Sequence, residues 1–318
     1  MKIINSLDSL KSEFQHNSSS LEGAVCGLGP VITIGIFDGV HTGHVALLNR
    51  MVEISKLYQK ESTVLTFSPH PRIVLLQDPQ KLKILTSQNE KMKHFERLNI
   101  DNVVVLPFNQ ETASLTAEKF IEDILVNKLN ISRLVVGFNH RFGSDRITSE
   151  NLEKISEKFG FGLEKVPSFD IYNQIPSSSQ IRELLFLGDI QQANKLLGYN
   201  YTIEGKVIEG NKIGRTMAFP TANIMVKETR KLIPANGVYA SLVKVKNRCY
   251  KGMTNIGLRP TINEKNKHSS IEVHILDFDD NIYYEDIEIE FIEKIRDEIK
   301  FPNLKELKKQ IELDMLNF

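Results

Sequence analysis

Two histidines in a glycine-rich stretch, residues 35–44, are the first residues whose types and spacing could do chemistry. The stretch directly follows a short apolar run and precedes a pattern that predicts a helix. A helix N-terminus presents unpaired N–H groups and the positive end of its dipole to an anion, and glycine lets the backbone approach a phosphate closely. Because His41 and His44 are three positions apart, both imidazoles can face one side of the first turn and donate hydrogen bonds to a polyphosphate.

Two other interpretations of this histidine pair stay open on these residues alone. His41 and His44, with His70 as a third ligand, could bind zinc, although no cysteine or carboxylate completes a known zinc spacing. The pair could also be structural, because two histidines three positions apart are by themselves weak evidence of a site.

A second group of polar residues opens a predicted helix near residue 178. Ser177 and Ser178 can accept from backbone N–H groups or donate to a phosphate. Arg182 lies four residues beyond Ser178 and can reach the same anion as a bidentate donor. From these residues alone, an ordinary helix cap with a solvated arginine is the favoured interpretation.

The second half of the chain contains a different phosphate signal. It has no G-x-x-x-x-G-K-[ST] loop, so a phosphate-transferring site there must be of another type. Gly210 and Gly214 mark turns where the backbone could meet phosphates. Thr221 and Asn223 alternate, so in an extended segment their oxygens face one side. Two neutral oxygens suit Mg²⁺, which keeps water and phosphate oxygens as its other ligands.

The elements that must position these groups differ between the two halves. In the first half, short apolar runs alternate with helical patterns, which predicts a mostly parallel sheet covered on both faces. The predicted strands are residues 31–34, 63–67, 103–106 and 134–136, and the predicted helices are residues 45–58, 87–98 and 117–129.

Two short helices follow, at residues 178–187 and 190–197, and then the pattern changes to strands. A run of strands closed by one helix, residues 303–316, predicts a small antiparallel barrel or sandwich. We therefore assign residues 1–196 to an α/β domain and residues 197–318 to a small β domain. The predicted strands of the second domain are residues 201–209, 237–245, 250–256, 271–276 and 287–292.

Composition limits the function classes. Lysine plus arginine equals aspartate plus glutamate, 40 each, and neither half is basic, so a nucleic-acid partner is disfavoured. No apolar run approaches the roughly 20 residues that a membrane helix needs, and the N-terminus lacks an apolar signal core. The two cysteines, Cys26 and Cys249, are expected to be separate thiols, which fits a reducing cytoplasm.

Residues 35–44 resemble the nucleotide-binding signature of the HxGH nucleotidyltransferases. More narrowly, the chain resembles the bacterial bifunctional riboflavin kinase/FMN adenylyltransferase family, also called FAD synthetase. Further stretches match that family in the same order along nearly the whole chain. They are residues 66–72, 136–143, 177–182, 214–223, 234–239, 255–261, 272–278 and 296–301.

The resemblance implies a Rossmann-like adenylyltransferase domain, residues 1–196, which transfers AMP from ATP to FMN and releases pyrophosphate. In this domain His41 and His44 would be catalytic, and Asp38 would either orient the loop or contact the nucleotide. The implied nucleotide or flavin-phosphate ligands are Gly35, Phe37, Asp38, Gly39, Asn139, Ser177, Ser178 and Arg182.

It also implies a β-barrel riboflavin kinase domain, residues 197–318, which uses ATP and Mg²⁺ to make FMN. Glu272 would be the base, Thr221 and Asn223 would bind the metal, and Arg296 would belong to a flap over the flavin. From the residues alone, Glu272 is better explained as part of a solvated strand face. The implied cofactor-binding residues are Gly210, Gly214, Arg215, Thr221, Asn223 and Arg296.

Some residues depart from the family pattern. His140 stands where an aromatic residue is usual, and Tyr284 stands where glycine is usual, at a predicted turn. The expected protein is a monomer, or self-associates weakly, with only small-molecule substrates. Two alternatives stay open: a chain in which only the kinase is efficient, and a non-catalytic flavin-binding regulator.

Overall fold

The computed structural model describes residues 1–5, 27–76, 78, 82–138, 143–168, 175–210, 219–259 and 268–316. The chain packs as two compact units. The first consists of Met1–Leu82 and Thr86–Pro176, and the second of Lys83–Leu85 and Ser177–Phe318. The domain assignment 1–196 and 197–318 stays a prediction, because these units group segments by packing and assign no activity to them.

The first unit is built on a parallel sheet of six strands in the order β1-β4-β3-β2-β5-β6. All four predicted strands are present, within one or two residues of their predicted bounds. The two outer strands, β1 and β6, were not predicted, because one has only three residues and the other has little apolar character. The strands are β1 Lys2–Ile4, β2 Val31–Ile34, β3 Ser62–Ser68, β4 Asn102–Pro107, β5 Arg133–Gly137 and β6 Gly162–Val166.

Both faces of this sheet are covered, as predicted. Successive residues of a strand point to opposite faces, so Leu134 and Val136 join one apolar cluster while Val135 joins the other. The described helices of this unit are α1 Thr42–Leu57, α2 Pro71–Leu75, α3 Gln88–Arg97, α4 Gln110–Ser114, α5 Ala117–Phe120, which continues as a π-helical turn over Ile121–Val126, and α6 Ser149–Phe159.

The second unit contains a closed barrel in the order β10-β11-β8-β7-β12-β9, with antiparallel pairing throughout. Of the two architectures that the run of strands predicted, the structure has the antiparallel barrel and not the sandwich. Its strands are β7 Thr202–Ile208, β8 Ala222–Val226, β9 Gly237–Val245, β10 Arg248–Arg259, β11 His268–Ile275 and β12 Asp286–Arg296.

In the part of this unit that the structure describes, three helices accompany the barrel: α7 Ser178–Leu187, α8 Ile190–Leu197 and α9 Leu304–Leu316. The first two have their predicted bounds because caps fix both ends. Ser177 accepts from a backbone N–H at the start of α7, and Gly188 and Gly198 end the two helices in the left-handed conformation. Within the described residues, no helix combines the length and the apolar character needed to cross a membrane.

Candidate functional sites

The loop between β2 and α1 has an unusual backbone that brings aromatic rings against it. Phe37 and Val40 have positive φ angles of 51° and 34°, which residues other than glycine rarely adopt. The Phe37 ring folds back over Gly35, where an added Cβ would lie 2.8 Å from the ring. Backbone strain of this kind concentrates at functional sites, so the loop is a candidate site on geometry as well as on sequence.

His41 and His44 lie together at the start of α1. Their rings stack with centroids 3.7 Å apart and planes inclined by 18°. His41 is the N-cap residue, and its Nδ1 accepts from the backbone N–H of His44 at 3.4 Å. In the neutral ring the proton then resides on Nε2, which leaves an N–H donor. The spacing thus places both imidazoles side by side, and their catalytic role stays a prediction.

Burial keeps both histidines neutral. It lowers the pKa of His41 to about 4, an effect that the charge of Asp38 partly opposes. It also lowers the pKa of His44 well below its usual value, and the neighbouring His41 and Lys91 lower it further. Near pH 7 the pair therefore offers neutral N–H donors to a ligand and adds no cation.

Asp38 orients the loop through a residue that the sequence analysis missed. Its Oδ1 accepts from the backbone N–H and the hydroxyl of Thr86, at 3.1 and 3.4 Å. The same hydroxyl accepts from the N–H of Gly39 at 3.0 Å. Asp38 is 3% exposed. These bonds support the structural role for Asp38 that the sequence left open. No local signal could have shown Thr86, which lies 48 positions away.

Three further residues predicted to bind phosphate lie at the start of α7 or within it. Ser177 is exposed and caps α7, and Ser178 is the first residue of that helix. The Nε of Arg182 donates to the carbonyl of Lys83 at 2.8 Å. These residues belong to the second unit and the histidines to the first. Asn139 and the atypical His140 lie outside the described residues.

Three polar residues of the barrel form a row across neighbouring strands. Asn223 on β8 is paired with Glu272 on β11, which is paired in turn with Asn255 on β10. Side chains at directly paired positions share one face of a sheet. The hydroxyl of Thr221 lies 3.5 Å from Oε2 of Glu272, within hydrogen-bond reach. The structure therefore brings Thr221, Asn223 and Glu272 together.

Gly210, two residues beyond the end of β7, shapes this row. A Cβ on Gly210 would overlap the side-chain amide of Asn223, which is buried. Only glycine leaves the space that this amide occupies. Gly214 and Arg215, the other cofactor-binding residues expected here, lie outside the described residues.

Two cavities meet at Thr221. One has a volume of about 290 Å³, and its walls include Phe219, Glu272, Arg296 and Phe301. The other has a volume of about 340 Å³ and is lined from Pro220 through Ala222 and from Phe278 through Tyr283. Thr221 lines both cavities, whereas Glu272 lines only the first. The arrangement provides two adjoining cavities, with the carboxylate of Glu272 in the smaller one.

Arg296 is held in the wall of the smaller cavity by a partner that the sequence analysis missed. Its Nε and Nη2 donate to the carboxylate of Asp314 on α9 at 2.8 to 3.0 Å. Asp314 is 2% exposed, and the Arg296 guanidinium lies 5.7 Å from the centre of the Phe301 ring. Asp314 lies 18 positions from Arg296, so only the packing of α9 on the barrel reveals the pair.

Comparison with known proteins assigns each half of the chain. The profile of the family described as FAD synthetase matches residues 27–180, and that of the riboflavin kinase family matches residues 197–318. A Buchnera aphidicola (subsp. Acyrthosiphon pisum) protein named bifunctional riboflavin kinase/FMN adenylyltransferase is 38% identical over 320 residues, 99% of this chain and 96% of that protein. The chain belongs to this family.

Other members of the riboflavin kinase/FMN adenylyltransferase family show similar agreement. The Haemophilus influenzae member is 40% identical over 289 residues, 90% of this chain and 92% of its own length. Among solved structures, a Streptococcus pneumoniae chain named macrolide-efflux protein has a TM-score of 0.86 and 28% identity. That match covers 99% of this chain and 98% of the other.

Proposed function

We propose that this chain phosphorylates riboflavin to FMN and then adenylylates FMN to FAD. The observation that carries the proposal is the pairing of the two family matches on one chain, together with a relative named for both activities that aligns over 99% of it. Residues 197–318 would carry the kinase and residues 1–196 the adenylyltransferase. Both reactions would use ATP.

For the kinase, we place the flavin in the 290 Å³ cavity and the nucleotide in the 340 Å³ cavity. Phe219 and Phe301 give the smaller cavity the aromatic surface that a flavin ring needs. Because Thr221 lines both cavities, the γ-phosphate of a nucleotide in one would lie near an alcohol in the other. Phosphoryl transfer depends mainly on such positioning.

Glu272 is the proposed base of the kinase. Its carboxylate takes the proton of the terminal ribityl hydroxyl, whose oxygen bonds to the γ-phosphorus while the bond to the β-γ bridging oxygen breaks. The products are FMN and ADP. A carboxylate within hydrogen-bond reach of the hydroxyl suffices for this proton transfer.

The residues beside Glu272 fit a magnesium ion. Thr221 and Asn223 offer neutral oxygens, and the carboxylate of Glu272 lies within hydrogen-bond reach of Thr221. Mg²⁺ prefers oxygen ligands and takes few from the protein when a nucleotide supplies the others. When bound, it would neutralise charge on the phosphates. Thr221 and Asn223 would hold it, and Gly210 would leave room for the Asn223 amide.

For the adenylyltransferase, a phosphate oxygen of FMN bonds to the α-phosphorus of ATP, and the bond to the bridging oxygen of pyrophosphate breaks. The attacking group is already an anion, so no base is needed. The neutral N–H groups of His41 and His44 would stabilise charge on the phosphates. The loop residues Gly35, Phe37, Asp38 and Gly39 would shape the cradle. Asn139, Ser177, Ser178 and Arg182 stay phosphate ligands that the family resemblance implies.

The proposal is tested by following both products chromatographically after incubation with riboflavin, ATP and Mg²⁺. Glu272→Gln should lower the rate of FMN formation by about 10²- to 10⁴-fold, while added FMN is still adenylylated. Replacing both His41 and His44 with alanine should abolish FAD formation while FMN formation from riboflavin persists. Glu285→Gln, an exposed glutamate of the barrel unit, is the control. Absence of both products from the wild-type chain would refute the proposal.

We also propose a cytoplasmic location and a monomeric or weakly associating chain. The exposed thiol of Cys249, which is free in the structure, supports a reducing compartment.

A further inference from the structure

A lysine ammonium is buried beneath the loop of residues 35–44. Lys91 on α3 is 5% exposed, and its Nζ donates to the carbonyl of Ile36 at 2.8 Å. Lysine is almost never fully buried without a partner, and a buried ammonium is costly unless it is paired and hydrogen-bonded. In the sequence, Lys91 resembles any polar residue on an amphipathic helix, so its pattern gave no sign of this burial.

The start of α3 holds this loop at two points. Thr86, just before the helix, binds Asp38 and Gly39, and Lys91, one turn into it, binds Ile36. Ile36 directly precedes Phe37, whose φ of 51° needs support from its surroundings. Lys91 therefore fixes the backbone at the point where the unusual conformation begins.

Lys91 also offsets the charge of Asp38. Burial lowers the pKa of Lys91 to about 8, and the negative charge of Asp38 raises it, so the ammonium stays mostly protonated near pH 7. Among the described residues, His41 and His44 at the start of α1 are also coupled to this cluster, and both are neutral. Without Lys91, the buried carboxylate of Asp38 would place an uncompensated negative charge beside the proposed polyphosphate site.

We propose that Lys91 is a positioning residue of the adenylyltransferase site, which fixes the Ile36 carbonyl and cancels the charge of Asp38 so that the loop accepts the phosphates of ATP. This inference rests on the proposed adenylyl transfer at the histidine pair.

The test is Lys91→Met, which keeps the length of the side chain and removes its charge, against Lys93→Met on the exposed side of the same helix. In Lys91→Met, the KM for ATP in FAD formation should rise at least about tenfold, the scale of one lost hydrogen bond to a charged group. FMN formation from riboflavin, measured on the same preparation, should not change. Equal KM values in the two variants would overturn the inference.

A double variant separates charge compensation from simple structural support. Adding Asp38→Asn to Lys91→Met removes the uncompensated carboxylate, so the KM for ATP should fall back toward the wild-type value. If Lys91 had only a structural role, the second substitution would raise the KM for ATP further. Failure to recover KM would therefore refute the role of Lys91 in cancelling the Asp38 charge.

A measurement on the unaltered protein covers the case in which Lys91→Met does not fold. The wild-type KM for ATP in FAD formation should rise as pH passes about 8, where Lys91 loses its proton. Lys93→Met should show the same rise. A flat profile in the wild-type chain contradicts the inference, whereas a wild-type chain that makes no FAD from FMN contradicts the proposed function instead.

Discussion

The guanidinium of Arg296 and the carboxylate of Asp314 form a bidentate pair between the last barrel strand and α9. The two residues are 16% and 2% exposed at their side chains, and both line the cavity assigned to the flavin. The amide of Gln310 also donates to Asp314 at 2.8 Å. The pair therefore fixes Arg296 in the cavity wall and ties α9 to the barrel.

Removing one partner of this pair should damage both stability and flavin binding. Asp314→Asn leaves the Arg296 charge buried and unpaired, which typically costs about 3–5 kcal/mol. The free energy of unfolding of the chain should fall, and the KM for riboflavin should rise. Denaturant unfolding and kinase kinetics measure the two effects, with the exposed Glu312→Gln on the same helix as control.

Replacing both partners with apolar residues distinguishes the two effects. Arg296→Met with Asp314→Leu should recover most of the stability, because a buried ion pair can be exchanged for apolar packing at little cost. Riboflavin binding should stay weak. If the double variant bound riboflavin as tightly as the wild-type chain, Arg296 would have no role in the cavity.

Gly210→Ala should impair the kinase without unfolding the barrel. The new Cβ would displace the Asn223 amide, so the Mg²⁺ concentration for half-maximal FMN formation should rise severalfold. FAD formation from added FMN should be unaffected. The matched control is Gly137→Ala, at a strand glycine where a Cβ meets nothing within 4 Å. Unchanged Mg²⁺ dependence would remove Asn223 from the proposed metal ligands.

His41 should make the stability of the chain depend on pH. Its pKa is lowered from 6.5 to about 4 in the folded state, so the unfolded chain binds more protons between these values. Stability should therefore decrease as pH falls from 6.5 toward 4, by roughly 3 kcal/mol for this group. Denaturant unfolding of His41→Asn should show a correspondingly flatter dependence. Identical slopes would contradict the assigned pKa.

Tyr284 occupies a turn with a φ of 67°, a left-handed conformation that glycine adopts readily. A left-handed conformation costs a residue other than glycine about 1–2 kcal/mol. A glycine substitution removes this strain, but glycine loses more conformational entropy on folding, which offsets part of the gain. Tyr284→Gly should therefore raise the free energy of unfolding by up to about 1 kcal/mol. Tyr284→Phe keeps the strain and loses only the 3.4 Å contact with Glu209, so it should change little. A destabilised glycine variant would contradict this account.

Local patterns predicted most of the fold. The strands of Val31–Ile34 and Gly237–Val245 and the helices α7 and α8 have the predicted bounds because apolar runs or caps define them. Strand β8 was missed because its five residues follow a proline and include Asn223, and the predicted helix of residues 117–129 is instead α5 followed by a π-helical turn.

The candidate sites were predictable only in part. His41, His44, Thr221, Asn223 and Glu272 were selected from motifs, and the structure groups the histidines with each other and the other three with each other. Their supporting partners could not be found in the same way. Thr86, Lys91 and Asp314 act across 48, 55 and 18 positions, and such pairings exist only after the chain has folded.

The placement of α9 has a consequence for chains that end early. Leu307, Ile311 and Asp314 line the cavity assigned to the flavin, and the barrel strands precede them in the chain. A chain truncated after β12 would therefore contain the barrel strands but would lack this wall and the counter-charge of Arg296. Such a fragment should bind riboflavin more weakly than the full chain.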